Sequence, residues 1–133
     1  MDNINSTIIK RLKKDARTPF LQIAKELDVS EGTIRKRVKR LIEAKEISKF
    51  TIDTKEETFA IVGVETDPSV DTGKIVDKIA ELDMHEIYEV TGRFDIIAFV
   101  PSTEREKVNQ TLEKIRQIKG VNDTETFTVL KKD

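Results

Sequence analysis

The chain has 133 residues, 37% of them charged, with a formal net charge of −1 and no cysteine. That length allows one ordinary domain or two small ones, and the missing cysteines exclude disulfides and thiolate catalysis and fit a cytoplasmic setting. No run approaches the roughly 18 apolar residues of a membrane span, and the start, Met1 to Leu12, mixes charge with isolated isoleucines unlike a signal peptide.

In chain order, Ile4, Ile8, Ile9 and Leu12 repeat at helical spacing. Asp15-Ala16-Arg17 ends that run, and Thr18-Pro19 offers an N-cap with proline at the first helical position. Phe20, Ile23, Ala24 and Leu27 give a second helix one apolar face, and Asp28-Val29 is a tight connection. Ser30 predicts the N-cap of a third helix with Glu31 in its first turn and a buried stripe of Ile34, Val38, Leu41 and Ile42. Ile47 to Ile52 alternates at period two and predicts a short strand, half of a hairpin wing. Polar, charged residues 53–57 read as a linker.

The remainder reads strand, helix, strand, strand, helix, strand. Thr58 to Thr66 is a strand, and Ile75, Val76, Ile79 and Leu82 mark a helix. Glu86 to Thr91 and Phe94 to Val100 are strands joined by a Gly92-Arg93 turn. Thr103 with Glu106 predicts a capping box for a helix carrying Val108, Leu112, Ile115 and Ile118, and Val121 to Leu130 is the last strand. The expected fold class is therefore α+β. A winged helix-turn-helix over residues 1–52 precedes a βαββαβ ferredoxin-like sandwich over 58–133. Such a sandwich leaves one sheet face bare, yet Ile96 to Val100 is apolar on both sides of its strand. An apolar bare face predicts a homodimer, with further assembly to a tetramer or octamer.

The near-neutral total hides an asymmetry. Residues 1–52 hold 13 Lys+Arg against 7 Asp+Glu, and residues 53–133 hold 11 against 18. A basic half suits a polyanion; the acidic half would be repelled by one. Helix three concentrates the positive charge. Arg35, Lys36, Arg37, Lys39 and Arg40 lie between its buried positions, with no acid between Glu31 and Glu43, so the sign alternation of a merely solubilising helix is missing. A helix in the major groove presents its N-terminal residues to base edges. Ser30, Gly32, Thr33 and Lys36 fall there, with Thr33 and Lys36 as the base-contacting pair. Arg35, Arg37, Lys39 and Arg40 are placed to hold phosphates, with Lys49 near the wing adding a backbone contact. The expected partner is double-stranded DNA.

Asp15-Ala16-Arg17, Ile23-Ala24, Val29-Ser30, Thr33-Ile34, Arg37-Val38 and Arg40-Leu41 together resemble the DNA-binding half of the Lrp/AsnC transcription regulators of archaea and bacteria. Val90 to Asp95, and Gly120-Val121 with Thr124 and Thr126, resemble that family's second half in the right order. Two departures stand out: Asn5 replaces the usual Asp, and Asp28 the usual Gly of the turn, where Asp tolerates a left-handed backbone. The resemblance implies an effector-binding and oligomerisation domain that takes an amino acid, with Thr91, Gly92, Asp95, Thr124 and Thr126 at the site. Nearby Glu89, Asp123 and Glu125 would favour lysine or another basic amino acid.

Other functions find less support. The lone histidine, His85, and five isolated glycines supply neither a nucleophile's base, a metal cluster nor a phosphate loop, so no enzyme, metal or cofactor is expected. The βαββαβ order is shared with RNA-binding modules, but Asp95 and Ile97 stand where stacking residues belong. A stand-alone amino-acid-sensing module would leave the basic helix unexplained.

Overall fold

The computed structural model describes residues 2–55, 58–101 and 103–133. Two compact units divide the chain, Met1–Ile52 and Asp53–Asp133. Glu56 and Glu57 of the expected linker lie outside the described residues.

In the first unit, α1 (Asn3–Lys14), α2 (Phe20–Leu27) and α3 (Glu31–Glu43) enclose a core of Ile8, Leu12, Ile23, Ala24, Ile34, Val38 and Leu41. The apolar residues recur at three- and four-residue steps, which stack them on one side of each helix. Asp2 caps α1, its Oδ1 accepting the Asn5 N–H at 2.8 Å. Of the expected α3 stripe, Ile34, Val38 and Leu41 are buried, while Ile42 is 45% exposed. Thr18 does not cap α2. Its hydroxyl donates to the Asp15 carbonyl at 2.7 Å and closes the preceding turn, leaving Pro19 at the helix entrance with no side-chain cap. Asp28 ends α2 at φ 56, ψ 47, the left-handed conformation foreseen for it. Lys45 adopts φ 59 after α3, and there the Glu46 and Ile47 N–H groups return to the Leu41 carbonyl. This reversal sends Ile47 back against the core.

The alternating run 47–52 forms no strand among the described residues. A strand exists through ladder hydrogen bonds to a neighbour, and the polar residues that follow supply no second alternating run to make a hairpin. Ile47 touches the core rim, while Phe50 and Ile52 stay exposed.

The second unit is β1 (Thr58–Thr66), α4 (Thr72–Ala80), β2 (Glu86–Glu89), β3 (Ile96–Pro101), α5 (Arg105–Arg116) and β4 (Val121–Thr128). The sheet runs β2-β3-β1-β4 and is antiparallel throughout. Ala60, Val62 and Val64 of β1 and Ile96, Ala98 and Val100 of β3 form the core with Ile75, Ile79, Val108 and Ile115 of the helices. Because side chains alternate along a strand, Ile61, Gly63, Ile97 and Phe99 belong to the opposite, uncovered face. The register sets Ile61 between Phe99 and Phe127, and Gly63 between Ile97 and Glu125. Tyr88 pairs with Ile97 and meets Phe99 edge-on at 5.9 Å.

Strands β2 and β3 are shorter than expected because the chain widens between them. The Val90 N–H bonds the Asp95 carbonyl, and Gly92 takes φ 123. Phe94 leaves the strand to lie flat on Gly63, where a Cβ would stand 2.5 Å from its ring. The expected Thr103–Glu106 capping box is not formed: Glu104 occupies the N-cap of α5, without a side-chain cap.

Candidate nucleic-acid interface and effector site

Helix α3 is fastened at its start by Ser30, whose Oγ accepts the Thr33 N–H at 3.1 Å and lies 2.9 Å from the Thr33 hydroxyl. Thr33 is therefore half-buried beside its cap, while Gly32 is exposed. The five cations of α3 divide into two sets. Arg35 pairs with Glu31 one turn back, and Arg37 is drawn inward to donate to Asp2 and, at 3.3 Å, to Asn5 Oδ1. Lys36, Lys39 and Arg40 are exposed and, among the described residues, take part in no ion pair. At 100° per residue these three and Gly32 share the side opposite Ile34 and Val38. Lys49 is exposed and lines a shallow apolar groove with Ile9, Leu12, Ala16 and Phe50.

A second guanidinium strut, Arg11 to Glu26, ties α1 to α2 through two parallel hydrogen bonds. The Arg11 fork holds the Glu26 carboxyl below its ordinary value, 4.5. The Asn5 N–H, and after it Arg37, holds Asp2 below 3.8. A depressed carboxylate contributes stability that is fully present above its unfolded value and lost as pH falls through the folded one. These two groups should therefore add nothing to the slope of the urea midpoint above about pH 5, and their contribution should be lost progressively as the pH falls below about 4.5. Asp2→Asn with Glu26→Gln should flatten that decline, and an unaltered acid limb would remove these two groups as its cause.

In the second unit, Thr91 and Gly92 are exposed at the β2–β3 turn. Asp95 acts as a staple: its Oδ2 accepts from the Thr66 N–H at 2.8 Å and the Thr66 hydroxyl at 3.1 Å, while its own N–H donates to Val64. An open depression beside it is lined by Thr72, Glu89, Val90, Thr91 and Asp95. Thr124 and Thr126 are not part of that depression. They stand in register with Val64 and Val62, on the helix-covered face, where Arg116 Nε donates to the Thr124 hydroxyl at 3.3 Å. Thr126 Oγ1 is buried and makes no hydrogen bond. The β4 residue that the turn does meet is Glu125, 3.0 Å from Arg93, which lies over the Phe94 ring. Glu125 Oε2 has no aligned hydrogen bond, so this contact is ionic attraction by proximity. Thr66 and Arg93 were invisible as site residues, because nothing local in the sequence pairs them with Asp95 or Glu125.

Two family models cover the chain. The AsnC-type helix-turn-helix domain matches residues 1–42 and the Lrp/AsnC ligand binding domain matches residues 59–132. The chain belongs to the Lrp/AsnC family. The Lrp/AsnC relatives include the HTH-type transcriptional regulator LysM of Sulfurisphaera tokodaii, 40% identical over 98% of this chain and 96% of its own. LysM of Saccharolobus solfataricus is 42% identical over 98% and 94%. Among solved Lrp/AsnC structures, AsnC of E. coli superposes with a TM-score of 0.75 at 28% identity, covering 99% of this chain and 93% of that one. This Lrp/AsnC protein is thus a transcriptional regulator with a DNA-binding and a ligand-binding domain, not an enzyme. No helix among its described residues is long and apolar enough to cross a membrane, and no group of three His, Cys, Asp or Glu side chains among them could hold a metal ion.

Proposed function

We propose that α3 enters the major groove of operator DNA, Gly32, Thr33 and Lys36 reading base edges while Arg35, Lys39, Arg40 and Lys49 hold phosphates. The observation that carries this reading is the outward row of Lys36, Lys39 and Arg40, free of ion pairs among the described residues, above a buried Ile34–Val38–Leu41 seam. Glu31 does not disqualify Arg35: an exposed i,i+4 pair is worth only about 0.3–0.5 kcal/mol, less than a phosphate contact repays. Ser30 acts through the cap, setting where the helix begins.

The acidic unit takes a small effector, and the residues beside the turn favour a basic amino acid such as lysine. Glu89 contributes a carboxylate, Asp95 its Oδ1, since Oδ2 is held by Thr66, and Thr72 and Thr91 hydroxyls, with no Lys or Arg among the described lining residues. Backbone N–H groups around Gly92 can receive the ligand's carboxylate. The name LysM borne by the two relatives accords with this class. Two copies pair through the open sheet face, and the ligand shifts the population between assemblies that space the α3 helices differently. Successive major-groove faces lie about 34–36 Å apart, so a changed assembly changes the length of DNA protected.

Footprinting on the chain's own upstream DNA, with and without pooled amino acids, tests the coupling. Protection should lengthen or shorten with ligand, and calorimetry should trace the heat to lysine or arginine. Identical footprints and no heat from a basic amino acid would end the effector reading while leaving DNA binding intact.

A further inference from the structure

We propose that Arg37 does not touch DNA but is a positioning residue, a strut between α3 and the N-terminus of α1 that sets the roll of the recognition helix. Arg37 bonds Asp2, 35 residues away in sequence, and the same carboxylate caps α1 through its other oxygen. Asn5, one turn into α1, offers the guanidinium a second acceptor. The rest of the grip on α3 is apolar and therefore non-directional: Ile34, Val38 and Leu41 resist separation more than rotation. Arg37 stands about 60° from Ile34 around the helix and about 100° from Lys36, at the edge of the seam. A directional charged bond there opposes roll. With side chains ending roughly 5–6 Å from the helix axis, a roll of about 20° moves their ends by about 2 Å, enough to break a bidentate base contact. The inference rests on α3 as the DNA-reading helix and adds which of its cations do not read.

Phosphate contact and strut predict different salt behaviour, because each phosphate gripped contributes about 0.9 to the slope of log affinity against log salt. The probe is a duplex selected from a random-sequence pool by the wild-type protein. Arg37→Met should weaken binding about three- to tenfold and leave the slope unchanged, whereas Arg40→Met should reduce the slope by about 0.9. Asp2→Asn should weaken binding similarly, although asparagine caps a helix as well as aspartate does, so loss of the cap is not the cause. Adding Asn5→Asp should restore affinity to Asp2→Asn, by returning a carboxylate to the guanidinium, and should do nothing for Arg37→Met. Thermal unfolding of the same set reads the Asp2–Arg37 coupling without DNA.

A slope reduced by about 0.9 in Arg37→Met would overturn the strut, since Arg37 would then hold a phosphate. So would full affinity in Asp2→Asn or a failed rescue by Asn5→Asp. An unaltered slope in Arg40→Met would instead overturn the reading of the outer face, with the strut still decided by the rescue arm and the unfolding coupling.

Discussion

With the open sheet face pairing two copies as proposed, Ile97→Glu is expected to leave the protein monomeric. Ile97 stands between Gly63 and Tyr88 on the uncovered sheet face, two residues from Phe99 and on the same face as Ile61 and Phe127. Tyr88 and Phe127 are each 49% exposed in the single chain, an outlay of apolar surface that a second copy would remove from water. Losing a buried isoleucine forfeits about 1.5–3 kcal/mol, and an unpaired carboxylate in the same place costs several kcal/mol more. In a symmetric pair both copies carry the change. Association should weaken by at least about a thousandfold, while the fold survives because Ile97 faces away from the helix-covered core. Sedimentation equilibrium at micromolar concentration is the check, with circular dichroism as the control for folding. A variant that still sediments as a dimer would show that the subunits meet elsewhere.

The second large effect is expected from Lys36→Ala combined with Arg40→Ala. Neither side chain has an ion pair among the described residues, so removing them leaves no orphaned partner and little change in stability. Two contacts to DNA at about 1–1.5 kcal/mol each amount to roughly a hundredfold in affinity, with the salt slope lowered by about 0.9, the share of the one phosphate that Arg40 holds. Fluorescence anisotropy across a salt series would measure both, and sedimentation should stay unchanged. Retention of affinity and slope would place the DNA contacts on another surface.

Legibility varied with the range of the interaction. The three first helices follow from apolar steps of three and four, and the Ser30 cap and the left-handed Asp28 from the chemistry of single residues. Strand β1 matches its expected bounds, Thr58–Thr66, because an apolar run between a charged stretch and Asp67-Pro68 admits few alternatives. Caps were legible only where nothing competed for the side chain. Thr18 was a sound cap by type, but Asp15 claimed its hydroxyl first. The 47–52 run carries a strand's alternation without a partner to make it one.

By itself the order of residues determined the three first helices, the βαββαβ order and the α+β class, which depend on neighbours within a turn or two, and the basic third helix and acidic second half, which are composition. Only the tertiary structure decided which charged groups are spent. Arg37 goes to Asp2 and Asp95 to Thr66, across separations of 35 and 29 residues. It also decided that Thr124 and Thr126 face the helices while Glu125 faces the turn, since strand register, not composition, assigns a side chain to one face or the other. Local periodicity says where a charge can lie along an element; only the packed chain says what stands opposite it.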